Sequence, residues 1–259
     1  MKTLSIHSGR GGTGKTLIAT NLACILANRG FNVTLLDADF RGPCLAFVFS
    51  GIVDYRVKYW LNDFLNGRCN QNEVLVDISD CYNFKGKLQV GFANPSIAAI
   101  QNVMNKSQAW ELTAVKKLFS LLSYLNKDEI GDYCIFDTSP GVQYSSINAL
   151  VASDLCIMVM SSDVIDLEAT KNILKDIADN FQKKTVIILN KYCSENRLEE
   201  NKKNTVAQIE AVLKHPVISK IPCYCDVLQG NRTELLAVKK PDHPFIKQLE
   251  EVANKIDSA

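Results

Sequence analysis

The stretch "SGRGGTGKT", Ser8 to Thr16, decides how the rest of the chain is read. Gly9, Gly14, Lys15 and Thr16 satisfy G-x-x-x-x-G-K-[ST], the pattern of a loop whose backbone N–H groups cradle phosphate. Glycines let such a loop fold around an anion with its amides turned inward. Lys15 then reaches the β- and γ-phosphates and the Thr16 hydroxyl takes Mg²⁺. The flanks agree with the motif. "TLSIHS" before it reads as a short buried strand, and "KTLIATNLACILANRG" after it reads as a helix closed by Gly30. Phosphate would sit on the N-terminus of that helix, where free N–H groups and the helix dipole favour negative charge. The nucleotide-binding set expected here is Gly11, Gly12, Thr13, Gly14, Lys15, Thr16 and Leu17.

One residue of the loop is surplus to phosphate binding. Arg10 puts a second cation only five residues before Lys15.

Composition bounds the class of protein. A chain of 259 residues with 47% hydrophobic content can bury one large core, and α/β folds of this length are often one domain. A net charge of +1 gives no bulk attraction to nucleic acid or anionic lipid. No apolar run approaches the roughly 18 residues that a membrane span needs, and no signal peptide is recognised before the first strand. The nine cysteines are mostly scattered singly through apolar runs, as at Cys24, Cys134 and Cys156, and read as reduced thiols of a cytoplasmic protein.

Strands and helices alternate along the chain. Further strand-like runs are "NVTLLDAD", "KLQVGFA", "YCIFDTS", "LCIMVMSS", "KTVIILNK" and "HPVISKIP". Most are nearly continuous apolar stretches, as expected of parallel strands covered on both faces. Helical segments are expected at Trp110–Leu125, Ile165–Phe181, Arg197–Leu213 and Pro244–Ile256. This predicts a single α/β domain over 1–259, with a mostly parallel sheet of about seven or eight strands and helices on both faces. The least regular stretch, roughly Gly42 to Lys87, reads as an insertion after the second strand.

Acidic residues fall at the ends of these strands, where open α/β sheets bind ligands. "LLDADF" ends in Asp37 and Asp39, and "CIFDTSPG" puts Asp137 where a Walker B acid holds Mg²⁺. Asn190 in "VIILNKY" could accept from and donate to a base edge.

Together "SGRGGTGKT", "LLDAD", "FDTSPG" and "LNKY" resemble the MinD/ParA family of deviant Walker A ATPases, whose relatives include Mrp-type carriers, nickel-insertion ATPases and the arsenite and tail-anchor targeting ATPases. The resemblance runs from the first strand through "IPCYCDV" and is weakest in the insertion. It implies a slow Mg-ATPase that acts as an ATP-dependent dimerisation switch. Two protomers would face each other across two ATPs, each sending its loop cation to the partner's phosphates. The family has lysine at that signature position and this chain has Arg10, which is longer, planar and able to contact two phosphate oxygens. The resemblance further implies that Asp39 orients the attacking water and Asp37 supports the Mg²⁺ shell. Asp137 would hold the metal through water, with Ser139 to Gly141 as the second switch. Adenine would rest against Asn190, Pro222 and Cys223. The implied cofactors are ATP and Mg²⁺. The implied partners are a second copy of the chain and an unidentified protein, in positioning or partitioning a cellular structure.

Cys223 and Cys225 form C-x-C and open a second reading, a metal or iron–sulfur carrier with a four-thiolate site shared by two protomers. Against it, Mrp-like carriers use C-x-x-C and the pair falls where adenine is expected. Lysine pairs such as Lys116/Lys117 and Lys239/Lys240 are dispersed and balanced by acids, so DNA binding is possible but not favoured. The final helix carries an apolar stripe with mixed charges opposite, which predicts packing and no direct membrane binding. "DYRVKYWLNDFLNG" offers Tyr55, Tyr59, Trp60 and Phe64 either to a partner or to the core.

Overall fold

The computed structural model describes residues 1–127, 131–192, 206–230 and 234–257, with the side chains of 177–180 excepted. Its centre is one eight-stranded sheet in the order β3-β4-β2-β5-β1-β6-β7-β8. The strands are β1 Lys2–His7, β2 Val33–Ala38, β3 Val76–Asp77, β4 Leu88–Gly91, β5 Tyr133–Thr138, β6 Leu155–Met160, β7 Lys184–Tyr192 and β8 Val217–Pro222. All neighbours run parallel except β3, which lies antiparallel on β4 at one edge.

The near-continuous apolar runs are explained by burial on both faces. Alternate residues of one strand point to opposite sides of the sheet. Thus Leu155, Ile157 and Val159 of β6 join one core cluster, while Cys156, Met158 and Met160 join another. In β5, Tyr133 and Ile135 face the first side and Cys134 and Phe136 the other. Each side therefore needs its own helical layer.

The first side is covered chiefly by α1 (Lys15–Asn28) and α14 (Pro244–Asp257), which pack against each other. Helix α1 is buried almost all round, from Ile18 to Ala27, as a helix apolar on every face must be. Helix α14 is amphipathic, burying Phe245, Ile246, Leu249, Val252, Ala253 and Ile256, so the expected packing helix is present. The opposite side is covered by α8 (Gln108–Asn126), α9 (Tyr144–Ala152), α10 (Val164–Phe181) and α11 (Val206–Leu213). The start of the helix expected at Arg197 falls outside the described residues. Ser107 caps α8 by accepting from Trp110 N, and Asp163 caps α10 by accepting from Ile165 N at 2.7 Å.

The stretch 42–87 is more ordered than its composition suggests. It folds as α2 (Leu45–Val48), α3 (Ser50–Arg56), α4 (Leu61–Leu65), α5 (Gln71–Val74), strand β3 and α6 (Ser79–Tyr82). The five helices are four to seven residues long, too short to show a helical period in the sequence. They are nonetheless part of the core, through Leu45, Phe49, Leu61, Phe64 and Val74. Phe64 of the aromatic stretch is buried, Tyr59 and Trp60 pack on the core, and Tyr55 is exposed. The helix α7 (Ile97–Met104) and the short α12 (Cys225–Gln229) and α13 (Leu236–Lys239) complete the fold. No helix among the described residues is long and apolar enough to cross a membrane.

Candidate nucleotide site

The chain order sends β1 and α1 to the middle of the sheet, so the loop between them opens at the carboxyl ends of β1, β2 and β5. Gly14 has φ 100°, a left-handed conformation that costs a side-chain-bearing residue energy, and Asn190 fills the space where its Cβ would be. A Cβ on Gly9 would lie 2.9 Å from the backbone of Ala169 and Thr170, so the loop's entry needs glycine for close approach to α10. The loop is further held by its neighbours. Asn190 Nδ2 donates to Thr13 O at 2.7 Å and Lys191 Nζ donates to Gly12 O at 2.6 Å. Asn190 thus supports the loop directly, and the sequence did not single out Lys191, its neighbour in "LNKY".

A cleft of about 530 Å³ lies above this loop. Gly11, Gly12, Gly14, Lys15, Thr16 and Leu17 form one wall and Asp39 and Pro140 another. The far wall is built by Asp226, Val227 and Leu228 of α12, a few residues beyond Pro222 and Cys223. Phe47 and Val48 of α2 close the remaining side.

Charge inside the site is desolvated. Lys15 is buried and donates from Nζ to Ser8 Oγ at 2.9 Å. Burial lowers its pKa, and the nearby Asp137 and Asp39 pull it back up. Asp37 and Asp137 sit side by side as register partners on adjacent parallel strands. Asp37 accepts from Asp39 N and Leu45 N, both at 3.2 Å. Its pKa is pushed well up, first by burial and then by the Asp137 charge. Asp137 is 1% exposed and neither carboxylate oxygen has a hydrogen-bond partner of good geometry. Burial pushes its pKa up to about 7, with Asp39 adding to the rise. The Thr16 hydroxyl and the Lys15 charge pull the other way. A buried carboxylate with unfilled oxygens beside a threonine hydroxyl is a fit donor set for a hard cation such as Mg²⁺.

Beneath the loop, His7 Nδ1 lies 2.7 Å from Thr138 Oγ1, whose own proton goes to Ile6 O. The threonine must therefore accept, which assigns the Nδ1–H tautomer. Burial first, and then the Lys15 charge, lower the His7 pKa to about 3, so the ring stays neutral and adds no third cation.

Arg10 is placed differently from every other charged residue of the loop. It is exposed, does not line its own cleft, and its side chain makes no hydrogen bond or ion pair among the described residues. Cys223 is half-buried and Cys225 exposed. Among the described residues no group of three or more His, Cys, Asp or Glu is arranged to hold a metal.

A phosphate loop at the switch point of a parallel sheet, with buried acids on the two adjacent strands, defines a P-loop nucleotide-binding domain. Residues 4–233 match the model of the CobQ/CobB/MinD/ParA nucleotide binding domain, and the chain belongs to that family. It is 24% identical over 254 residues to the septum site-determining protein MinD of Thermotoga maritima, covering 97% of this chain and 86% of that protein. Two solved structures share the fold over nearly the whole of both chains. One is the septum site-determining protein MinD of Pyrococcus horikoshii complexed with Mg-ADP, with TM-score 0.76 and 21% identity, covering 99% of this chain and 96% of that one. The other is the MinC:MinD cell division protein complex of Aquifex aeolicus, with TM-score 0.79 and 20% identity, covering 100% of this chain and 97% of that one.

Proposed function

We propose that this chain is a slow, partner-regulated Mg-ATPase that works as an ATP-dependent dimerisation switch. Its process is the positioning or partitioning of a cellular structure in the cytoplasm. The observation that carries this reading is Arg10, a cation exposed on the phosphate loop that makes no ion pair with any described residue of its own protomer. Apolar side chains on the same end of the sheet support it. Val142 and Tyr144 follow β5 and Val164 and Ile165 follow β6, the two strands that flank β1, and all four are 55–63% exposed. A second copy laid across this end would cover them and bring its own Arg10 to the neighbouring phosphates.

In this reading ATP and Mg²⁺ are the cofactors. Lys15 and the amides of Gly11 to Thr16 hold the phosphates, Thr16 and Asp137 hold Mg²⁺, and Asp37 supports its shell. Asp39 orients the attacking water, and the base lies toward Asn190 and the segment from Pro222 to Leu228. When bound, Mg²⁺ would supply neutralisation of the charge on the phosphates. The partner in regulation is a second protein; the Aquifex relative is found in a complex with MinC, and neither DNA nor direct membrane binding is required.

Light scattering tests the switch. Asp39→Ala protein with Mg-ATP should accumulate as a dimer because hydrolysis is slowed, and with Mg-ADP it should be monomeric. An unchanged mass with both nucleotides would contradict the reading.

A further inference from the structure

We propose that the Ser139 hydroxyl is a positioning residue for Asp39, clamping one oxygen of that carboxylate and leaving the other free to order the attacking water. The proposal rests on the reading of Asp39 as the water-orienting group. Ser139 Oγ donates to Asp39 Oδ1 at 2.7 Å, and Gly42 N donates to the same oxygen at 3.0 Å. Asp39 Oδ2 accepts no hydrogen bond among the described residues, and Asp39 lines the cleft. One oxygen therefore takes both hydrogen bonds and its twin takes none among the described residues.

The clamp is itself held from several directions. Ser139 is fully buried, and its carbonyl accepts from Ser146 Oγ of α9 at 2.8 Å. Two residues on, Gly141 N donates to Ser8 O at 3.0 Å, which ties the same segment to the phosphate loop. The main chain of Asp39 is anchored separately through its N–H to Asp37 Oδ1. Both ends of the Ser139–Asp39 bond are thus built on elements that already define the site. The chemistry of the donor matters as well. A hydroxyl fixes the carboxylate without adding a positive charge that would quench its pull on water, and alanine or proline at this position would have no donor at all. Because the contact spans a hundred residues of sequence, it also couples the segment after β2 to the segment after β5.

The test is steady-state and single-turnover ATP hydrolysis by the unmodified protein and by Ser139→Ala, Ser139→Thr, Asp39→Ala and the Asp39→Ala/Ser139→Ala double variant. Ser139→Ala should lower kcat about tenfold with KM for ATP and melting temperature unchanged, because a misplaced group costs rate and not binding. Ser139→Thr should recover most of the rate, since it keeps the donor. In the Asp39→Ala background the serine change should cost nothing further, as expected for residues acting through one group. If Asp39→Ala hydrolyses at the full rate, the reading of Asp39 fails and this inference with it. If Asp39→Ala is slow and Ser139→Ala runs at the unmodified rate, this inference alone is overturned. It is equally overturned if Ser139→Ala raises KM or melts early, or if the losses add in the double variant.

Discussion

Two sets of acidic residues on this fold meet opposite fates. At the β3 edge, Asp80 receives a bidentate pair from Arg56, with both N–O distances 2.8 Å. Those hydrogen bonds hold its pKa down to about 2. Asp77 beside it accepts from Ser79 and pairs with Lys87 at 3.3 Å. At the ends of β2 and β5, by contrast, Asp37 and Asp137 are buried against each other, and both oxygens of Asp137 are unfilled. The exposed set is satisfied within the chain and, screened by solvent, does little for the fold. The buried set weakens the empty protein and becomes favourable only when a cation joins it. Carboxylates that look equivalent in a sequence are separated by whether the chain itself completes them.

The largest effect that would break this contrast is on ligand binding. Asp137→Asn and Lys15→Ala should each weaken Mg-ATP binding by about a hundredfold or more, since each leaves a buried charge without its counterpart. Calorimetric titration decides it. Unmodified affinity in Asp137→Asn would place the cation elsewhere.

A smaller effect sharpens the contrast through pH. Asp137 has a folded pKa raised from the ordinary carboxylate value to about 7. In the nucleotide-free and Mg²⁺-free protein, the folded state binds the extra proton between those two values. Its contribution to stability is therefore fully present below pH ~4 and is lost as pH rises through about 7. Asp37, raised in the same direction, acts with it. Urea midpoints at pH 5 and pH 8 should fall with rising pH, and Asp137→Asn should flatten that fall. An equal slope in the variant would mean that the buried pair is not what titrates.

The smallest effect belongs to the other set. Arg56→Ala or Asp80→Asn should leave ATP affinity unchanged and melting temperature the same within error, because Asp80 is exposed and Arg56 only half-buried, so solvent screens the pair. A large loss in either would erase the distinction between the two groups.

How much of this was legible beforehand follows the same division. The loop at Ser8–Thr16, the seven long strands and the terminal helix were readable because each carries a local pattern. Asp37, Asp39 and Asp137 were readable because strand ends of a parallel sheet are where ligands bind. Strand β3 is two residues long, and α2 to α6 are too short for a period, so the stretch 42–87 read as an insertion. The bonds from Ser139 to Asp39 and from Lys191 to Gly12 join residues far apart in the chain, and no spacing announces them. Ser8 opens the loop stretch in the sequence, but nothing there marks its hydroxyl as the acceptor of the Lys15 ammonium.

Arg10 tests the central claim most directly, because it is a charge that no described residue of the protomer answers. Arg10→Ala should bind Mg-ATP almost normally, since Lys15 and the loop amides remain. It should fail to dimerise, losing a charge-assisted contact of about 1.5–3 kcal/mol at each site. Arg10→Lys should dimerise. The measurement is the mass of an equal mixture of Arg10→Ala and Asp39→Ala proteins with Mg-ATP, followed by light scattering across concentration. A trans contact predicts heterodimers with one complete and one incomplete site, weaker than Asp39→Ala homodimers and stronger than Arg10→Ala ones. If Arg10→Ala alone dimerises with Mg-ATP as well as the unmodified protein, Arg10 serves no second protomer and the proposed switch is wrong.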